Sequence, residues 1–257
     1  MLNIIYRFMN KRYILLICAF HFLFVNFLQG QEFWQQIPNE SVPDSIKSSR
    51  LVMPEAHATF QLDVQAFKAL LAQAPLRNVS LTGQRGVSVK IPDPSGRMLT
   101  FEMVREEVMA PELAEKYPSI RTFIGRKIND PSTTLRLEYS PQGITGMVFA
   151  PGEQTYMIDP YAVDTDRLYL VYLRRDYPMD PTRPFECLTA GQSTQMTPVQ
   201  ARSNAAACGT MRTYRTAISA SAEYTTFHSL SGDTEADKKT KTLAAITTAV
   251  NRLNQIF

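Results

Sequence analysis

Beyond the first thirty residues, the side chains best suited to chemistry are Cys187 and Cys208, His57 and His228, and the neighbouring carboxylates Glu106/Glu107 and Asp164/Asp166. A catalytic zinc takes three protein ligands and keeps one position open, often through His-Glu-x-x-His on a helix. Two histidines in unrelated segments do not supply that set, and His57 reads as a surface residue and His228 as a structural one. The sequence contains no Gly-x-Ser-x-Gly elbow, no phosphate-cradling glycine loop and no Cys-x-x-Cys pair. Carboxylates paired on a loop or strand edge are more readily a solvated charge cluster than a general acid and base. Tyr156, Tyr161, Tyr169, Tyr172 and Tyr177 could stack on carbohydrate. Their strand-like spacing instead predicts core and sheet-surface positions.

The cysteines leave two readings open. An oxidising compartment favours a Cys187–Cys208 disulfide, which closes a loop of about twenty residues and destabilises the unfolded chain by roughly 3 kcal/mol. Alternatively one thiolate, more readily Cys187 in Arg183-Pro-Phe-Glu-Cys187, fills the open coordination position of a zinc further along the chain and holds a protease latent.

Export is indicated by residues 1–30: Arg7, Lys11 and Arg12 form a basic start, and Tyr13 to Phe24 an apolar run interrupted by His21. Such a run falls short of the roughly twenty residues that span a bilayer. Cys18 follows Leu-Leu-Ile and lacks the small residue expected before a lipidated cysteine. The predicted location is therefore secreted, extracellular or periplasmic. Without the leader's three bases, 24 of the 27 basic residues face 24 acidic ones. Interspersed charges of both signs make no stripe for phosphates, which excludes a nucleic-acid partner.

The elements that must position these residues follow from periodicity. From about 58 to 177 apolar residues alternate: Phe60/Leu62/Val64, Val87/Val89/Ile91, Leu99/Phe101/Met103, Leu135/Leu137/Tyr139, Ile144 to Phe149, Tyr156/Ile158 and Leu168/Leu170/Tyr172. Turn sequences separate them at Asp93–Gly96, Ser140–Gly143 and Pro151–Glu153, and short helices are predicted over 64–74 and 111–117. Residues 178–207 carry four prolines and no periodicity, as a linker does. A strand over 213–220, continuing into 223–228, precedes a helix from 240 to 257 whose stripe is Leu243, Ile246, Val250, Leu253 and Phe257. No stop signal follows that stripe, so the chain reads as the amino-terminal part of a longer protein. A lone strand and helix leave apolar faces uncovered, and 208–257 should be poorly ordered unless it docks on the β-rich region.

The segment Cys208-Gly-Thr-Met-Arg-Thr-Tyr-Arg-Thr-Ala-Ile-Ser-Ala-Ser-Ala-Glu-Tyr-Thr-Thr-Phe-His228, with Ala244-Ala-Ile-Thr-Thr-Ala-Val-Asn-Arg-Leu-Asn-Gln-Ile-Phe257, resembles the first strand and helix of secreted bacterial metallopeptidases of the reprolysin (adamalysin) type. Tyr117-Pro-Ser-Ile-Arg-Thr-Phe-Ile-Gly-Arg126, Asp130-Pro-Ser132 and Ser140-Pro-Gln-Gly143 are similar to their propeptides. The resemblance covers most of 50–257. It implies an α+β organisation: signal peptide 1–30, β-rich propeptide 31–177, linker 178–207, and at 208–257 the first strand and helix of an incomplete α/β metallopeptidase domain. The family's His-Glu-x-x-His-x-x-Gly-x-x-His signature is absent from this sequence, so no zinc ligand or catalytic glutamate transfers to it. Zinc is implied for the parent protein, and this chain is expected to hold none and to be inactive. The implied partners are a cognate catalytic domain, which the propeptide would help fold and would inhibit, and an activating protease that cuts the linker, for example after Arg202. Rival expectations are an exported inhibitor acting in trans and a structural β-protein that associates through strand edges.

Overall fold

In a computed structural model, residues 32–50, 52–77, 85–152, 154–162, 165, 167–178 and 215–256 are described. They contain β1 (Trp34–Ile37), β2 (Ala58–Leu62), β3 (Val87–Pro92), β4 (Met98–Arg105), β5 (Arg121–Lys127), β6 (Asp130–Ser140), β7 (Gly143–Phe149), β8 (Tyr156–Pro160) and β9 (Leu168–Leu173). The helices are α1 (Asp44–Lys47), α2 (Val64–Leu71), α3 (Pro111–Lys116), α4 (Ala222–Phe227) and α5 (Glu235–Ile256). All nine strands join one antiparallel sheet in the order β1-β2-β9-β8-β7-β6-β5-β4-β3, a meander from β3 to β9 with β2 and β1 added beyond β9.

Alternation sends one residue set of each strand to a single apolar face. Phe60, Leu62, Val89, Ile91, Phe101, Met103, Phe123, Leu135, Leu137, Ile144, Val148, Ile158, Tyr169 and Val171 share that core with α2. The Asp63 carboxylate caps α2 by accepting from Ala66 N at 3.1 Å. The helix then drives Phe67 against Trp34 and Phe33, with ring centroids 5.6 and 5.8 Å away in edge-to-face contact. Each such large side chain contributes about 1.5–3 kcal/mol of burial. The chain reverses between β6 and β7 at Gly143, whose φ of +115° suits glycine, and a Cβ there would lie 2.8 Å from Pro160 Cγ.

The sheet's opposite face is mixed. Val42, Tyr161, Ala162, Leu170 and Tyr172 form a small cluster on it. At the neighbouring end, Met109, Ala114 and Ile120 pack against Ala244 and Leu243 of α5. Between these clusters α5 lies along β6 and β7.

The expected α+β organisation, with the opening strand and helix of a truncated α/β metallopeptidase domain, is overturned. The described residues are mostly β, one curled antiparallel sheet with few helices. Residues 215–220, Arg-Thr-Ala-Ile-Ser-Ala, form no strand: they lie exposed and pair with no sheet edge among the described residues. Residues 222–227 are helical rather than extended, with the Ser221 hydroxyl accepting from Tyr224 N at 3.2 Å as N-cap. The last helix begins at Glu235, five residues before its predicted start, where Thr234 and Asp237 cap each other reciprocally. It is ordered by docking on the sheet.

Candidate functional site

The face between β6 and α5 concentrates the buried ionisable groups. Charged residues on alternate positions of apolar strands must point away from the core, and so Arg136 and Glu138 of β6 and Asp159 of β8 all reach the opposite face. There α5 covers them. Its Arg252 pairs with Asp159, which also accepts from the Tyr172 hydroxyl at 2.8 Å. Thr248 donates its hydroxyl to Glu138. Asn251 Nδ2 donates to the Leu137 carbonyl at 3.3 Å, Arg136 donates to the Asn254 carbonyl at 3.3 Å, and Gln255 Nε2 donates to Thr134 Oγ1 at 2.5 Å.

These contacts come from the small and polar side of the helix. Thr242, Ala244, Ala245, Thr247 and Asn251 are its buried residues. Leu253 of the apolar stripe is 51% exposed, and Ile256, off that stripe, is 61% exposed. The stripe expected to be buried is therefore turned away from the sheet at its carboxyl-terminal end, while Phe257 lies outside the described residues.

Burial pushes the Glu138 carboxyl up to about 7; Asp159 adds to the rise, and Thr248 and Arg252 oppose it. The Tyr172 hydroxyl is raised well above its ordinary value by burial and by the Asp159 carboxylate that it serves. Arg252 is held above its ordinary value: desolvation lowers it, and the attraction of Asp159 outweighs that loss. With α5 docked, Glu138 is fully buried beneath the helix. The cluster grips that helix.

Of the residues singled out in the sequence, Glu106 is held between Arg77 and Arg136. Glu107 faces Arg105 at 3.3 Å and Arg121 at 3.8 Å, so this carboxylate pair is tied up in separate ion pairs. His57 Nε2 lies 3.3 Å from Asn39 Oδ1, and its pKa is lowered by burial and by Arg50. His228 ends α4 against the rings of Tyr224 and Phe227, its pKa also lowered by burial. Tyr156, Tyr161, Tyr169 and Tyr172 are buried and Tyr177 is 46% exposed, which forms no continuous stacking platform. Cys187, Cys208, Arg202, Asp164 and Asp166 lie outside the described residues. Among the described residues no group of three or more His, Cys, Asp or Glu side chains is placed to hold a metal ion. No helix among them is long and apolar enough to cross a membrane.

Sequence reasoning missed Glu138, Asp159, Thr248 and Arg252. The available signal was a glutamate inside Leu135-Arg-Leu-Glu-Tyr139, an acidic residue on the polar phase of an otherwise apolar strand. No family model matches the sequence, and neither a curated protein nor a solved structure does.

Proposed function

We propose that residues 31–177 form the propeptide of a secreted zinc metallopeptidase precursor of the reprolysin type, assisting the folding of the protease and inhibiting it, with the β domain acting as a scaffold that holds α5 releasably. The observation behind this reading is how α5 is held. It docks on the sheet through Arg252, Thr248, Asn251 and Gln255 and leaves Leu253 and Ile256 open. Releasable interfaces within a chain are polar, whereas permanent ones resemble a core cut in half. A scaffold that must later let go needs the first kind. Zinc enters only through the family resemblance, and this chain is proposed to be inactive by itself.

Cutting the chain within 179–214 with a protease and passing the product over a sizing column tests the reading. The piece carrying α5 should co-elute with the β domain at micromolar concentration and separate in denaturant. Separation without denaturant refutes the scaffold. Zinc-dependent hydrolysis of a protein substrate by the intact chain refutes the proposed inactivity.

A further inference from the structure

We propose that α5 is clasped to the sheet by a protonated Glu138 and is released as that carboxyl ionises, so that docking tightens in acid and loosens toward neutrality. The inference rests on the docked arrangement behind the proposed scaffold and adds its regulation.

The clasp is visible in the unmatched atoms. The Thr248 hydroxyl donates to one Glu138 oxygen, while Oε2 is buried and meets no donor among the described residues. Asn251 Oδ1, on the helix above, is also buried without a donor. An ionised carboxylate here would be a buried charge with a single hydrogen bond, whereas a carboxylic acid brings the missing donor with it. Among the described residues no cation pairs with Glu138 directly: Arg252 attracts it through space and keeps a buried Nε without a partner, but its Nη2 is turned to another carboxylate. Arg252 of α5 pairs with Asp159 of β8, and Arg136 of β6 pairs with Glu106 and the Asn254 carbonyl. Tyr172 of β9 spends its proton on Asp159. The cross-strand neighbours of Glu138, Thr122 of β5 and Thr145 of β7, are neutral.

The sign follows from the two states. With α5 docked the carboxyl titrates near 7, and with α5 lifted its face opens to water and it returns toward 4.5. Between these values the docked state holds a proton that the open state has lost. The stabilisation is complete below pH 4.5, declines through the window and is gone above pH 7. One tenfold change per pH unit caps the shift in the opening equilibrium at about 300-fold.

Hydrogen exchange of the intact chain between pH 4.5 and 8 tests this, corrected for intrinsic rates. The Ala244 to Asn251 amides of α5 are read against Leu135 and Val148 of the core. Protection of α5 should fall by up to about 300-fold as pH rises while the core amides hold. Glu138→Gln, neutral at every pH, should keep α5 protected with a flat profile. A flat profile in the unaltered protein, or an unchanged slope in the variant, overturns the clasp. Should that variant fail to fold, the carbon-13 carboxyl titration of Glu138 in the unaltered protein decides: a midpoint near 7 supports the clasp, and one at or below 5 overturns it. If α5 is protected equally at all pH values only the clasp is lost, whereas an α5 unprotected throughout removes the scaffold as well.

Discussion

Replacing Arg252 with methionine is the most direct way to weigh the grip on α5. The Asp159 side chain is 11% exposed and that of Arg252 29%, so the pair stands between two regimes. Exposed pairs contribute about 0–1 kcal/mol, and breaking a fully buried one costs about 3–5 kcal/mol. Without the guanidinium, Asp159 keeps the Tyr172 hydroxyl at 2.8 Å and loses its counter-ion. A cost of roughly 2 kcal/mol follows, which multiplies the open population of α5 about 30-fold. Hydrogen exchange of the α5 amides at pH 5, where Glu138 is protonated, reads that population. Asp159→Asn and the double variant complete the cycle, with an expected coupling of roughly 1–2 kcal/mol. The reasoning is refuted if Arg252→Met raises opening less than about threefold, or if the single effects add to within about 0.3–0.5 kcal/mol.

Other positions test the sheet itself. Phe67→Ala removes the ring that joins α2 to Trp34 and Phe33 and should cost about 3–5 kcal/mol in urea denaturation. A loss under 1 kcal/mol would show that α2 does not fill the core. Asp93 governs the β3–β4 turn. Its burial opposes ionisation, but bonds from Ser95 and Arg97 at 2.6–3.0 Å outweigh that, so its pKa is held below 3.8. The stabilisation is present above pH 3.8 and fades as pH falls through the depressed value. Asp93→Asn should therefore lower the melting temperature at pH 6 and have a smaller effect at pH 2, and equal effects at both would rule out the carboxylate's role.

Much of the sheet was legible because its strands alternate apolar residues toward the core with polar ones toward the other face. Leu135/Leu137/Tyr139 and Val87/Val89/Ile91 alternate cleanly and fall in β6 and β3. Two strands escaped. β5 carries Arg121, Gly125, Arg126 and Lys127, and its consecutive Thr122, Phe123 and Ile124 are all buried, since α3 and the loop after β4 cover its second face. β1 offers only Trp34 and Ile37 around two glutamines, too short for a period to show. Residues 222–227 read as extended because Tyr, Thr and Phe favour strands, yet the Ser221 cap and the absence of a pairing edge decided for helix. Glu138 and Arg252 stayed hidden for a different reason. They lie more than a hundred residues apart in sequence, and no local pattern reports that a helix will cross that strand.

The sheet order carries a kinetic consequence. From β3 to β9 each strand pairs with its predecessor, so the meander can assemble through short loops, and the face that receives α5 lies wholly within it. The join between β2 and β9 is different: Phe60 meets Tyr169 across about a hundred residues of intervening chain. That closure should come late. Until it does, the edge of β9 is bare, and Phe60, Trp34 and Phe67 lack the ring of Tyr169 that finally sits 5.4 Å from Trp34. The sheet order thus allows a seven-stranded sheet with an open edge at β9 to form first and to bind its helix before the sheet is itself complete.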